Sequence, residues 1–322
     1  MFAPLLLALP ALGGFALASL CLRRRPGLLH RPRQPPFPCR HVSHRGGCCG
    51  ERIENTMEAF TNAVAQGTQL LELDCQRTRD GVVVVSHDQN LQRQAGRDQN
   101  IRELDYADLP PYRDPLEVTF SPGTVSHGSD HRIPRLEDVF QKFPHIPVNV
   151  EIKEDDEELI RQVADLVRRY RRSHITVWAS FQSKILKKCK AAEPRHALRL
   201  LLAARPLLLL LYYTGLLPFV PLPEAFLQFL LPSIINRTYF PVPKGCMGNL
   251  LAKVTHTVTM RKKLFKHLED RGIQVLLWVL NEEKDFEEAF SCGVSGVMTD
   301  YPTLLRRYLD THPPPSQDKT DE

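Results

Sequence analysis

From residue 41 onward, short apolar runs alternate with stretches whose apolar residues recur three and four apart. "CRHVSH", "LLELDCQ", "VNVEIK", "ITVWASF", "HALRLLL", "QVLLWVLN" and "GVSGVMTD" are strand-like, and "CMGNLLA" is a weaker strand candidate. Between them, "NTMEAFTNAVAQG" places Met57, Ala59, Phe60, Ala63 and Val64 near one helical face. Asn55 with Glu58 resembles a capping box there, and Gly67 a stop. "DEELIRQVADLVRRYRR" predicts an amphipathic helix with acids first and bases last, the order that the helix dipole favours. "KDFEEAFSCG" predicts another. Strands alternating with helices over this length predict an α/β fold with a parallel sheet. About eight strands is the number for a closed (β/α)8 TIM barrel.

One stretch breaks the alternation. "ELDCQRTRDGVVVVSHD" has Asp80-Gly81 between two strand-like runs and no room for a helix, so it predicts a β-hairpin inserted after the second strand. Facing residues of an antiparallel pair have a roughly constant index sum. Asp74 therefore faces about Ser86, and Glu72 about Asp88. Glu72, Asp74 and His87 come together, and Glu72 and Asp74, two apart, share one face of their strand.

Two further segments are apolar beyond what a barrel needs. Residues 1–22 carry no charge and are followed by Arg23, Arg24 and Arg25. The run is long enough to span a bilayer, and its positive charge follows the apolar core instead of preceding it. This favours a transmembrane anchor over a cleaved signal peptide. Residues 23–40 then read as a basic, proline-rich linker, 41–310 as the barrel domain and 311–322 as a disordered tail. Residues 198–232 are the second apolar segment. A true span there would put Glu151 and Trp278 on opposite sides of a membrane, which no single barrel permits. The segment is read as a membrane-associated insert that dips into one leaflet or lines an acyl site. A buried helix pair in the barrel shell is the alternative.

Composition narrows the class. The 322 residues are 43% hydrophobic and 25% charged, values of a globular chain of one large domain or two ordinary ones. The net charge of +5 comes without a basic stripe interleaved with aromatics, which argues against nucleic acid as a partner and suits an anionic membrane surface. The 8 cysteines show no C-x-x-C spacing, so they read as reduced, mostly buried thiols.

The candidate chemistry lies at strand ends, where barrel active sites are built. Glu72, Asp74 and Glu151 form an oxygen-rich set for one hard divalent cation, Ca²⁺ or Mg²⁺. His44 and His87 suit a general acid and base pair, with His87 adjacent to or on the metal. Arg45 and Lys153 add cations for an anionic substrate, with phosphate the natural candidate. An ion pair of Arg45 with Glu54 or Glu72 is the structural alternative, and both readings are compatible.

"HRG", "ENT", "ELDCQRTRDGVVVVSHD", "VEIK", "WVLN" and "VMTDYP", in this order, resemble the glycerophosphodiester phosphodiesterase family over residues 41–310. The hairpin string is the most specific part. With the apolar N-terminus and the leucine-rich segment, the chain is similar to the membrane-bound, lysophospholipase D-type branch. The resemblance implies a (β/α)8 barrel with a small insertion after the second strand. It also implies metal-dependent hydrolysis of lysophospholipids, including lysophosphatidylcholine, lysophosphatidylethanolamine and N-acyl and alkyl forms. It assigns metal ligation to Glu72, Asp74 and Glu151, catalysis to His44 and His87, and phosphate contact to Arg45 and Lys153. It places Trp278, Glu54 and Asn55 in the substrate cleft. The implied nucleophile is the glycerol 2-hydroxyl, giving a cyclic phosphate that water opens. The implied location is a membrane, of the endoplasmic reticulum and perinuclear region. Its side is open, since Arg23–Arg25 favour a cytosolic domain while Asn236 is a glycosylation acceptor only in a lumenal one. The loop with Cys48-Cys49, and "ERIENT" where many members have a proline, depart from the family pattern. A phosphodiesterase for water-soluble glycerophosphodiesters, or a catalytically silent lipid-binding barrel, are the other readings.

Overall fold

Parallel strands buried on both faces read as near-continuous apolar runs, and the ring built by this chain interrupts them with a few polar residues, Glu72, Asp74, Asn149 and Gln228 among them. The computed structural model describes residues 3–31, 33–46, 48–193, 198–201, 205–238 and 246–313. Its strands are β1 (His41–Ser43), β2 (Leu70–Arg77), β3 (Val83–Val85), β4 (Leu116–Glu117), β5 (Val125–Ser126), β6 (Val148–Glu151), β7 (Thr176–Ser180), β8 (Leu198–Leu201), β9 (Phe226–Leu230), β10 (Gln274–Trp278) and β11 (Gly296–Thr299). Parallel pairing runs in the order β1-β11-β10-β9-β8-β7-β6-β2. β1 also pairs with β2, through Val42–Leu70 and Ser43–Leu71, which brings the two ends of the sheet together in a TIM-barrel-like ring. β3 adds to β2 in antiparallel register, and Cys75 faces Val85. The next rung is a hydrogen bond from the Ser86 amide to the Asp74 carbonyl at 3.0 Å, the pairing expected from the hairpin's index sum. Gly81, at φ 84°, makes the turn.

The helices are α1 (Ala3–Arg24), α2 (Cys48–Glu51), α3 (Met57–Ala65), α4 (Gln92–Ala95), α5 (Leu136–Lys142), α6 (Glu157–Arg169), α7 (Ser183–Ala192), α8 (Arg205–Tyr213), α9 (Cys246–Thr259), α10 (Lys262–Glu269), α11 (Glu283–Ser291) and α12 (Pro302–Thr311). Phe60 of α3, Phe140 of α5, Val163 of α6 and Ile185 of α7 pack with Leu71, Leu73, Val148 and Val150 of β2 and β6 in one core cluster. Phe265 of α10, Phe286 of α11 and Leu305 of α12 pack with Phe229, Val275, Leu277 and Val297 of β9, β10 and β11 in a second. A third cluster joins Val42, Leu70, Val177, Ala179, Phe226, Leu276 and Met298, drawn from six of the parallel strands.

The structure corrects several expectations. "CMGNLLA" is helical, the start of α9, and the remaining barrel strand is β9, inside the supposed insert over 198–232. That segment is not an insertion. It is strand, helix, loop and strand, greasy because β9 is buried and because α8 carries leucines on both faces. The α3 cap is Thr56, whose side chain accepts from the Ala59 amide, while Asn55 and Glu58 bond elsewhere. The stretch expected as a linker over 23–40 is laid on the shell. His30 Nε2 lies 2.8 Å from the Pro218 carbonyl, and Arg33 donates to the Leu222 carbonyl at 2.6 Å. Loop carbonyls hold these side chains. Among the described residues no helix is long and apolar enough to cross a membrane, so a transmembrane anchor over 1–22 is not supported. Instead α1 lies against the segment after α8. Ser19 donates to the Gly215 carbonyl at 2.8 Å, and Phe15 stacks on Phe219. Of the tail expected over 311–322, residues 314–322 lie outside the described residues.

If β9 is a barrel strand, Phe226→Ala leaves a cavity in the core and costs about 3–5 kcal/mol. Val254→Ala on the exposed side of α9 stays within about 0.5 kcal/mol. Urea denaturation of the two variants checks this, and equal midpoints would reverse the assignment.

Candidate active site

Strand register brings the carboxylates together. Asp74 pairs with Glu151 and Glu72 with Asn149 across β2 and β6. Oxygens of Glu72, Asp74 and Glu151 all lie within 4.8 Å of one another. Such spacings fit oxygens that share one ion at about 2.3–2.6 Å each. Burial, and then the charges of Asp74 and Glu151, push the Glu72 carboxyl well above its usual range. Burial moves Glu151 up to about 7, with Lys153 opposing and Asp74 adding to it. Burial also works against ionised Asp74, but Lys153, His87 and Arg45 outweigh it and hold this carboxyl well below the usual range. Glu151 Oε1 is buried with no hydrogen-bond partner. Three hard oxygen donors, one of them orphaned, fit a divalent cation held by Glu72, Asp74 and Glu151. His87 is not part of this cluster, which consists of the three acids.

The turn after β1 is shaped by backbone that few residues adopt. Arg45 has φ 48° and Gly46 φ 82°, and a Cβ on Gly46 would meet the Phe60 ring at 2.9 Å. This geometry lets the Arg45 amide donate to Glu72 Oε2 at 2.8 Å while its guanidinium reaches Glu54 at 3.3 Å, Thr119 at 3.0 Å and Asp74 at 3.6 Å. The ion-pair reading of Arg45 therefore holds with Glu54. Lys153 pairs with Asp74 at 2.7 Å.

Each histidine carries a carboxylate on its Nδ1. His44 Nδ1 lies 2.7 Å from Asp300 Oδ1, and His87 Nδ1 lies 2.5 Å from Asp88 Oδ1. Burial, and then Arg45, push the His87 pKa down to about 4, against the pull of Asp74 and Asp88. His44, Arg45, Glu72, Asp74, His87, Glu151, Lys153 and Trp278 line one cleft of about 820 Å³, including its open mouth. Its apolar wall is Trp278 packed on Phe120 at 5.7 Å and edge-on to Phe181 at 6.2 Å.

Glu54 and Asn55, expected in the cleft wall, stand behind it. Glu54 is fully buried and salt-bridged to Arg45 and Arg93. Asn55 donates to Asp74 Oδ2 at 3.3 Å. Buried residues in contact with charged ones were the signal available, and "ENT" alone did not separate a wall from a support. Several residues escaped sequence reasoning altogether. Arg93 donates to Asp88 at 2.6 Å and also holds Glu54. Asp300 and Asn281 support His44. Gln228 puts a buried Nε2 without a hydrogen-bond partner into the cleft. Asp300 directly follows its strand, close to where Glu151 ends its own, and Gln228 is the lone polar residue in "FLQFL"; those were the legible signs.

A model of the glycerophosphoryl diester phosphodiesterase family matches residues 44–304, which contain the whole cleft. The chain belongs to this family. It is 58% identical over 307 residues to human lysophospholipase D GDPD3, covering 95% of this chain and 96% of that one. It is 46% identical over 301 residues to human lysophospholipase D GDPD1, covering 94% and 96%. Among solved structures it is similar to a glycerophosphoryl diester phosphodiesterase domain from Mycobacterium tuberculosis. The TM-score is 0.64 at 18% identity, over 86% of this chain and 99% of that one. It is also similar to a putative glycerophosphoryl diester phosphodiesterase from Silicibacter pomeroyi, with a TM-score of 0.60 at 22% identity over 87% and 95%. These structures share the fold with this family member.

Ca²⁺ or Mg²⁺ is expected to raise the melting temperature by mass action, by about 2.7 kcal/mol of stability at a hundred times Kd. Glu72→Gln is expected to abolish most of that rise while leaving the metal-free melting temperature equal or higher. Differential scanning calorimetry with and without chelator reads both, and an unchanged response in Glu72→Gln would remove this residue from the ligand set.

Proposed function

We propose that this enzyme is a lysophospholipase D, a metal-dependent phosphodiesterase that cleaves lysophospholipids on the head-group side. The observation that carries the reading is one cleft with phosphate-handling groups on one side and an aromatic wall on the other. The wall is continuous with a larger apolar body. Phe120 clusters with Leu208 and Tyr212 of α8, and Trp278 packs against the same cluster. A water-soluble glycerophosphodiester has no use for that surface. The names of the two human relatives favour the same choice.

A divalent cation held by Glu72, Asp74 and Glu151 supplies charge for the phosphoryl oxygens in this reading. Arg45 and Lys153 lie beside it and orient the phosphate. One of the two histidines takes the proton of the glycerol 2-hydroxyl, whose oxygen forms the new bond to phosphorus. The bond from phosphorus to the head-group oxygen breaks, and the other histidine gives that oxygen a proton. Water then opens the cyclic phosphate with the proton roles reversed, and lysophosphatidic acid leaves. A nucleophile carried by the substrate gains high effective molarity without any protein nucleophile.

A lipid surface is the proposed source of substrate. Leu17 of α1, Leu210 of α8 and Met247 of α9 are 70%, 59% and 66% exposed. The three helices are joined. Arg23 bonds the Tyr212 carbonyl, and the Tyr213 hydroxyl bonds the Val258 carbonyl. Exposed apolar residues on three linked helices, with Arg23–Arg25 at the end of α1, fit the boundary of an anionic membrane.

His44→Ala and His87→Ala are each expected to cost about 10²–10⁴-fold in kcat on lysophosphatidylcholine. A wild-type rate in either would exclude that histidine. A lysophosphatidylcholine analogue with a 2-O-methyl group in place of the hydroxyl should bind and stay intact. Its hydrolysis at the parent's rate would mean direct attack by water. For the lipid surface, co-sedimentation with anionic vesicles is expected to weaken in a Leu17→Glu, Leu210→Glu variant, and equal binding would refute the contact.

A further inference from the structure

Register sets one contact that joins the first strand of the barrel to the last. Ser43 of β1 pairs with Thr299 of β11, so the next residues, His44 and Asp300, emerge side by side at the strand ends. Asp300 is fully buried. Its Oδ1 lies 2.7 Å from His44 Nδ1, while its Oδ2 accepts from Asn281 Nδ2 at 2.9 Å. The Asp300 amide donates to Asn281 Oδ1, also at 2.9 Å. Asn281 therefore grips Asp300 at two points, one on the side chain and one on the backbone. The opposite ring nitrogen, His44 Nε2, lies 4.0 Å from Glu72 Oε2 and so faces the carboxylate cluster.

We propose that Asp300, clamped by Asn281, is the positioning residue for His44. It fixes the ring's tautomer and its angle, so that Nε2 is the nitrogen presented to the reacting oxygens. The proposal rests on the reading of His44 as a proton carrier. An ionised carboxylate only accepts hydrogen bonds, so Nδ1 must carry the proton and the neutral ring keeps its lone pair on Nε2. With the other tautomer, Nε2 would hold a proton where a base is needed. With no partner on Nδ1, the ring would divide its time among orientations, and small misplacements at a reacting centre are costly. Asn281 serves the same end, because an amide that donates to Oδ2 leaves Oδ1 for the histidine. His87 has a different kind of support. Asp88 is its sequence neighbour and is shared with Arg93, so that pair is assembled within one loop. The His44 pair spans 256 residues and forms only when β1 and β11 are in register.

The test is a double-mutant cycle on the full chain, with lysophosphatidylcholine as substrate and divalent cation added. Asp300→Asn is expected to lower kcat about 10²-fold with KM within about twofold, the scale of a proton-transfer group put out of place. In a His44→Ala background the same substitution should cost less than about twofold, because a residue that acts through His44 has nothing left to position. Asp300→Glu should recover part of the loss, since it restores the acceptor. A near wild-type kcat in Asp300→Asn would overturn the proposal, and so would a full loss repeated in the His44→Ala background. If His44→Ala itself keeps the wild-type rate, the proton-carrier reading fails first and is identified as the cause. Should Asp300→Asn not fold by circular dichroism, Asn281→Ala decides. It should lower kcat about tenfold beside His44 and leave the His44→Ala rate unchanged, and any other pattern overturns the proposal.

Discussion

Asp74 sits in a buried ring of charge, and its two cationic neighbours govern how the rest of the cleft is arranged. Lys153 takes one carboxylate oxygen and Arg45 approaches the other, so this acid stays ionised where burial alone would protonate it. For its neighbours Glu72 and Glu151, burial and like charge outweigh the relief from Arg45 and Lys153, and both are pushed up. Around them, Glu54, Asp88 and Asp300 are all held down by arginine or histidine. The six carboxylates of this region, Glu54, Glu72, Asp74, Asp88, Glu151 and Asp300, face three fixed cations, Arg45, Arg93 and Lys153. The uncompensated part lies at Glu72 and Glu151, facing the cleft. A buried set of like charges is stable only when something of opposite sign joins it, and a hard divalent cation meets that need at the place where a phosphodiester must bind.

The supports of this ring form a chain. Arg93 links Asp88 to Glu54, Glu54 links to Arg45, and Arg45 links to Asp74. The hairpin matters for this reason. It carries β3 back along β2, and the residues just after it supply His87, Asp88 and Arg93. A longer βα connection would have placed those residues outside the barrel mouth. Behind the charges, Thr56, Asn55 and Gly46 hold a turn with two left-handed side-chain residues, Arg45 and Asn55, so the backbone presents an amide to Glu72. Local strain of this kind persists where surrounding contacts over-determine it, and here the contacts are those of the cleft.

Much of this was legible because its determinants are local. The hairpin follows from Asp80-Gly81 and a constant index sum, and the strand-end acids follow from "LELD" and "VNVE". What was misread lies where one pattern has two physical meanings. "AFLQFLL" is apolar because a parallel strand is buried on both faces, and the same run looks like membrane-seeking sequence. "CMGNLLA" is too short to show a period, and the helix α9 becomes plain only over 14 residues. Asp300, Asn281 and Arg93 were missed for another reason. Asp300 meets His44, 256 residues away, only through the closure of the ring, and Arg93 meets Glu54 across 39 residues.

The same structure bears on where a nucleophile could come from. Attack by cysteine needs a thiolate. Burial raises the thiol of Cys39, pushes Cys189 up to about 12, and raises Cys75 as well, there with the help of Asp74 and Glu72. Among the described residues, the cysteine beside the carboxylates, Cys75, is thus held as a thiol. The cleft is lined by histidines, cations, carboxylates, amides and aromatic rings, and Thr119 there already accepts from Arg45. In the proposed mechanism the two histidines, each bonded to an aspartate, carry protons and form no bond to phosphorus. The attacking oxygen then belongs to water or to the substrate. Water must be caught and aligned in a cleft open to solvent, whereas a glycerol 2-hydroxyl arrives tethered beside its phosphorus. Tethering is worth an effective molarity of about 10⁵–10⁸ M in well-oriented cases, more than bulk water can match. A diacyl phospholipid has that oxygen esterified, so the internal route discriminates between one and two chains by chemistry before any question of fit arises.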